Sequence, residues 1–175
     1  MVNFFTVLQN SLAAGSRIVG LLDEESTIKD KKNANSLEIV KGEIIYENVN
    51  FEYEPDQRVL KEVNVRIKEK ERLALVGYTG AGKSTFIKLL NRFYDPIEGN
   101  LYVDGNNLKD IKISSLREKM GIVLQENFLF SGTVRENIRY GKLNATEEEI
   151  IEVSKKVKAH EIIMDLKKGY DTKVG

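Results

Sequence analysis

Residues 77–85 read G-Y-T-G-A-G-K-S-T, directly after the wholly apolar run L-A-L-V of residues 73–76. The spacing G-x-x-x-x-G-K-[ST] is met by Gly77, Gly82, Lys83 and Ser84. Each residue type has a physical reason to be there. Gly80 and Gly82 let the backbone turn with its N–H groups directed at an anion. A helix starting at Lys83 adds the partial positive charge of its N-terminus. Lys83 brings a full charge and three donors suited to β- and γ-phosphates. Ser84 offers a hydroxyl to Mg²⁺, an ion that keeps several waters and bridges phosphate oxygens. The motif expects a strand before it and a helix after it. Residues 73–76 read as a strand buried on both faces, and 83–93 as a helix.

Outward from this loop the pattern is mixed. Upstream, 43–53 alternates around Ile44, Tyr46, Val49 and Phe51, and 63–67 alternates again, so both read as strands. Downstream, 100–104 and 122–124 read as strands. Residues 114–119, 133–140 and 146–158 read as helices, with Ser114 as a candidate cap and Thr146 with Glu149 as a capping box. In 1–22, Phe5, Leu8, Leu12, Val19 and Leu22 fall on one helical stripe. Residues 23–36 are almost wholly polar and read as a solvated linker. The fold class expected is α/β: a phosphate-loop core of parallel strands flanked by helices, an antiparallel β annex and an N-terminal helix.

Composition narrows the function. The 175 residues carry 27 Lys+Arg and 27 Asp+Glu, which removes any bulk attraction to nucleic acid, so no nucleic-acid partner is expected. Cysteine is absent and His160 is the single histidine, so thiol catalysis, disulfides and zinc fingers are excluded. The longest apolar run is residues 73–76, far short of the roughly 20 residues a spanning helix needs, so no transmembrane span is expected.

A phosphate loop alone is shared by kinases, GTPases, motors and transporters. The flanks are more specific. Residues 90–105 read L-N-R-F-Y-D-P-I-E-G-N-L-Y-V-D-G, and 114–141 read S-S-L-R-E-K-M-G-I-V-L-Q-E-N-F-L-F-S-G-T-V-R-E-N-I-R-Y-G. Together with the loop they closely resemble the nucleotide-binding domain of ABC transporters of the exporter type, over about residues 37–175. Multidrug or lipid exporters of bacteria are the nearest in character.

The resemblance implies ATP and Mg²⁺ as cofactors and a transport-coupled ATPase. Tyr53 would stack on the adenine. Thr79, Gly80, Ala81, Gly82, Lys83, Ser84 and Thr85 would surround the phosphates, with Thr85 at the α-phosphate. Gln125 would reach Mg²⁺ and the attacking water, so Lys83 and Gln125 are the catalytic candidates and Ser84 and Gln125 the metal ligands. Residues 1–22 would be the cytosolic end of the last transmembrane helix, 23–36 a polar linker, and 37–175 the N-terminal portion of the ATP-binding domain. The partners implied are a transmembrane domain and a second ATP-binding domain, at the cytoplasmic face of the cell membrane.

The family's catalytic carboxylates, its L-S-G-G-Q signature and its switch histidine find no match in these residues. The C-terminal half of the domain is therefore expected to be missing, and the 175 residues alone to bind but not turn over ATP. Residues 20–25 (G-L-L-D-E-E) imitate an apolar–Asp–Glu run but sit on a helical stripe, so Asp23 and Glu24 are not catalytic candidates. Asp165 lacks a following glutamate, and His160 reads as a surface or half-buried helix residue. Two alternatives stay open: a non-catalytic nucleotide-binding module, and another phosphate-loop enzyme such as a small-molecule kinase.

Overall fold

The computed structural model describes residues 2–38, 41–125 and 128–175, with side chains from Phe5 onward. The chain divides into two compact units, Met1–Gly121 and Ile122–Gly175. Among the described residues no helix is long and apolar enough to cross a membrane.

The first unit opens with α1 (Val2–Leu22). Its apolar stripe is exposed: Phe5, Leu12 and Leu22 are 63%, 64% and 78% accessible. A four-stranded antiparallel sheet follows, in the order β2-β1-β3-β4, from β1 (Ile44–Glu52), β2 (Arg58–Ile67), β3 (Glu98–Val103) and β4 (Asn106–Asn107). The apolar positions of β1 step by two, then three, then two, and strict alternation cannot bury them all on one face. A bulge resolves the conflict: the register with β2 shifts between Tyr46 and Val49, and Asn48 takes φ 47°. The strand opposite must then come close. Gly99 has φ 82°, and a Cβ there would lie 2.3 Å from the Asn48 carbonyl oxygen, so only glycine fits.

Between β2 and β3 runs α2 (Lys83–Leu90), which buries Thr85, Phe86, Leu89 and Leu90 against the sheet. Tyr46 stacks on Phe86 with ring centroids 3.9 Å apart and donates its hydroxyl hydrogen to the Phe86 carbonyl at 2.9 Å. Burial pushes the Tyr46 phenol far above its ordinary value, so it stays a neutral donor. The core around them holds Val49, Phe51, Leu60, Leu101, Val103 and Leu116. Burying a side chain such as Leu89 contributes about 1.5–3 kcal/mol. The helix stops earlier than its periodicity suggests, because Asn91 caps it and Arg92 turns left-handed at φ 51°.

Two further readings differ. The run 73–76 forms no strand: Leu73 is 47% and Val76 89% exposed. Residues 122–124 form none either, and Val123 is 92% exposed. A strand exists only through its ladder, and among the described residues neither run has one. The sole parallel pairing among them is an isolated bridge between Asn35 and Ile111. The short helix α3 (Ile113–Arg117) is capped differently too: Ser114 lies inside it, and the Ile113 N–H donates to Asp30 Oδ1 at 2.9 Å.

The second unit is largely helical, with α4 (Val134–Arg139), α5 (Glu147–Lys156) and α6 (His160–Met164), and a two-stranded ribbon of β5 (Gly132–Thr133) and β6 (Lys173–Val174). Ile150, Ile163 and Tyr170 form its buried centre. The capping box at Thr146 and Glu149 forms as expected, and Thr133 with Glu136 makes a second one ahead of α4. His160 is half-buried, with Nδ1 2.9 Å from the Tyr170 hydroxyl.

Candidate nucleotide-binding site

The segment 77–82 bridges the exposed apolar run and α2 without regular structure. Gly82 is the N-cap of α2 at φ 86°, a left-handed conformation that puts the chain on course for the helix. The backbone also leaves no room for a side chain there: a Cβ would sit 2.8 Å from Leu60 Cδ2 and 3.2 Å from the Val59 carbonyl oxygen. The Gly82 carbonyl accepts from Phe86 N–H at 2.8 Å, which starts the helical ladder.

Lys83 folds back over the loop. Its Nζ donates to the Gly77 carbonyl at 2.8 Å and the Tyr78 carbonyl at 2.7 Å. The ammonium is therefore held at the mouth of the turn rather than projecting into solvent. Beside it Ser84 is exposed, while Thr85 is buried at 5% accessibility. The Thr85 Oγ1 lies 3.1 Å from the Tyr53 hydroxyl.

Tyr53, just beyond β1, is held by aromatic edges. Phe51 meets it at 4.9 Å and 89°, and Tyr94 at 5.2 Å and 87°. The Lys88 ammonium stands 5.5 Å from its ring centroid. Tyr53 as a whole is 46% accessible.

Tyr53, Val59, Gly80, Gly82, Lys83, Ser84 and Thr85 together line a cleft of about 270 Å³. Six of the sequence-predicted residues thus meet in one place. Val59 is the addition. It belongs to the first half of β2, ahead of the alternation that marks that strand in the sequence, and no pattern singles it out. Thr79 and Ala81 are exposed and do not line the cleft, and the Ala81 N–H donates to the Tyr78 carbonyl at 3.1 Å. Gln125 is exposed and belongs to the second unit. A larger cleft of about 1130 Å³, lined by residues including Leu37, Tyr102 and Asp104, contains no phosphate-loop residue.

The cleft combines a glycine-lined turn, a helix N-terminus, one ammonium, two hydroxyls and an aromatic face. That set suits a polyphosphate attached to a planar base. Ser84, which lines the cleft, carries the kind of hydroxyl that Mg²⁺ takes as a ligand beside phosphate oxygens and waters.

Comparison with known proteins agrees. The sequence profile for ABC transporters matches residues 60–174. A Bacillus subtilis protein, YgaD, provisionally named a multidrug export ATP-binding/permease protein, is 44% identical over 100% of this chain and 30% of its own length. A Staphylococcus aureus protein with the same kind of name is 47% identical over 89% of this chain and 27% of its own. The solved structure of a bacterial Atm1-family ABC exporter with ATP bound superposes with a TM-score of 0.84 at 34% identity, covering 98% of this chain and 30% of that one. The chain thus spans about 30% of the length of the relatives it matches. The matched profile, the phosphate loop at the head of α2 and the aromatic beside it agree: this chain belongs to the ABC transporter family.

Proposed function

We propose that this chain is the nucleotide-grasping part of an ABC exporter, and that its cleft binds MgATP. The observation that supports this best is the meeting of Tyr53, Lys83, Ser84 and Thr85 around one cleft. In this reading the phosphates lie along the turn, and Lys83 exchanges the Gly77 and Tyr78 carbonyls for β- and γ-phosphate oxygens. The helix N-terminus adds its dipole, and Tyr53 offers its open face to the adenine. Ser84 would hold Mg²⁺, and the ion would neutralise charge on the phosphates. The whole transporter would hydrolyse ATP between two such domains, at the cytoplasmic face of a membrane, to drive export through its transmembrane domain. Residues 1–22 would join the linker to that membrane part.

For the 175 residues alone we expect binding without turnover. Phosphoryl transfer needs a positioned water and charge neutralisation around the transferred group. The catalytic carboxylates that the family resemblance calls for find no match in these residues, and Asp23 and Glu24 are exposed beyond the end of α1.

A MgATP titration of the chain beside Lys83→Ala tests the reading. Charged hydrogen bonds contribute about 1.5–3 kcal/mol each, so the variant should bind at least about tenfold more weakly. Equal affinity of the two proteins would overturn the site. Phosphate release above background by the wild type would overturn the binding-only expectation.

A further inference from the structure

The polar segment that follows α1 is not loose. Asn35 N–H donates to the Asp110 carbonyl at 2.8 Å, and Lys112 N–H returns a bond to the Asn35 carbonyl at 2.8 Å. Lys31 Nζ reaches Asp110 Oδ1 at 2.6 Å, and Leu37 N–H donates to Ser115 Oγ at 2.7 Å. Residues 29–37 are therefore laid as a strap along 110–115.

One side chain ties this strap to the phosphate-loop helix. Arg92 lies two residues past the end of α2 and is only 2% exposed. Its guanidinium donates to the Ile111 carbonyl at 2.7 Å and to the strap's Lys29 carbonyl at 3.4 Å. Asp30 Oδ1 stands 3.6 Å away and Asp95 Oδ1 3.3 Å. The Arg92 carbonyl in turn accepts from Arg117 at 3.0 Å, and Arg117 also donates to the Asn91 carbonyl at 3.2 Å. Arg92 takes a left-handed φ of 51°, which turns the chain sharply just past α2. A buried guanidinium is kept because its fork reaches several acceptors at once.

We propose that Arg92 is a positioning residue that couples docking of the strap to nucleotide binding. It acts through α2, a rigid element of eight residues, about 12 Å long, with Lys83 at one end and the Arg92 clasp just beyond the other. Any movement of α2 on closing around phosphates shifts the clasp, and the strap feels it through Lys29 and Asp30. Because α1 leads into the strap, the clasp gives the phosphate loop a mechanical connection to the N-terminal helix. The inference rests on the cleft being a nucleotide site, and by reciprocity each event must favour the other by the same factor.

Hydrogen exchange of residues 29–37 in the 175-residue chain, with and without saturating MgATP, tests this beside nucleotide titrations. The variant is Asp30→Asn, because Asp30 is partly exposed and asparagine keeps an oxygen that can accept from the Ile113 N–H while removing the charge beside Arg92. In the wild type, MgATP should raise strap protection by at least about fivefold. Asp30→Asn should abolish that gain and weaken MgATP binding by the same factor, with Asp30→Glu restoring both in part. Lys83→Ala should leave the nucleotide-free strap protected as in the wild type. Saturable binding with unchanged strap exchange would overturn the coupling, as would an Asp30→Asn strap that opens with affinity unaltered. Absence of saturable MgATP binding by the wild type would instead defeat the reading of the site, and the coupling with it.

Discussion

The Tyr53 hydroxyl lies 3.1 Å from the Thr85 Oγ1, so the residue that presents an aromatic face to the cleft is fastened to the first turn of the phosphate-loop helix. In the proposed reading, base recognition and phosphate recognition would be held in fixed relation by this one polar contact. The rest of the support for Tyr53 is edge-on and apolar, from Phe51 and Tyr94.

This separates two parts of the tyrosine. Tyr53→Phe removes the contact to Thr85 but keeps the ring, and should weaken ATP binding by about threefold, the effect of a neutral hydrogen bond of roughly 0.5–1 kcal/mol. Tyr53→Ala also removes the stacking face, worth about 1–3 kcal/mol, and should weaken it about 5- to 100-fold. Calorimetric titration of the two variants checks the order. Equal losses would mean that the ring takes no part in binding.

Gly82→Ala should be the most damaging single methyl in the loop. The residue takes φ 86°, and the new Cβ would meet Leu60 Cδ2 at 2.8 Å and the Val59 carbonyl at 3.2 Å. Left-handed strain costs about 1–2 kcal/mol before any clash is counted. Denaturant unfolding should therefore show a loss of at least about 1 kcal/mol, together with loss of nucleotide binding. Gly105→Ala provides the contrast: its φ is 77°, but nothing lies within 4 Å of its Cβ, so it should lose stability without touching the site.

The local signals were legible because they are local. The phosphate loop, the start of α2, the Thr146 capping box and the alternation that marks the antiparallel strands are each carried by residues close in sequence. The bulge at Asn48 was hidden in plain view, as an apolar spacing of three where alternation demands two. What could not be read was long-range. The early end of α2 depends on Arg92, whose partners are Lys29, Asp30 and Ile111, and the cap of α3 comes from Asp30 rather than Ser114. The polar composition of 23–36 is that of a solvated linker, and hydrogen bonds made mostly by its backbone leave little trace in composition. The apolar runs 73–76 and 122–124 announce strands, but a ladder needs a partner that no single run specifies.

The helical unit should lose stability in acid. Glu136 sits below its ordinary 4.5, first through the Thr133 backbone N–H and then the Thr133 hydroxyl. Glu149 is lowered first by Lys142 and then by the Thr146 backbone N–H. A carboxylate whose folded value is depressed stabilises the fold at pH above its unfolded value, and that contribution fades as pH falls through the folded one. Helix content should therefore hold from neutral pH to about 4.5 and decline below it. Thr133→Ala and Thr146→Ala should each cost about 1 kcal/mol at pH 7 and flatten the acid transition. Circular dichroism from pH 7 to pH 2 checks both, and an acid transition unchanged in the double variant would refute the assignment to these caps.

Finally, the exposed apolar runs make a prediction about solution behaviour. Val76 and Val123 are 89% and 92% exposed, and each lies in a run of apolar residues with no ladder partner among the described residues. Extended backbone with free N–H and C=O groups and apolar side chains is a template for pairing with another chain. The 175-residue chain should therefore associate as its concentration rises, and should enhance the fluorescence of a hydrophobic dye. Val123→Lys places a charge on one of these runs, and lysine on an edge opposes such pairing. It should reduce both signals, yet leave unfolding unchanged, because a side chain so exposed contributes little packing to lose. Sedimentation at several concentrations decides the matter: a monomer throughout, dark to the dye and cooperative in unfolding, would show that these runs are covered in solution by a pairing the structure does not contain.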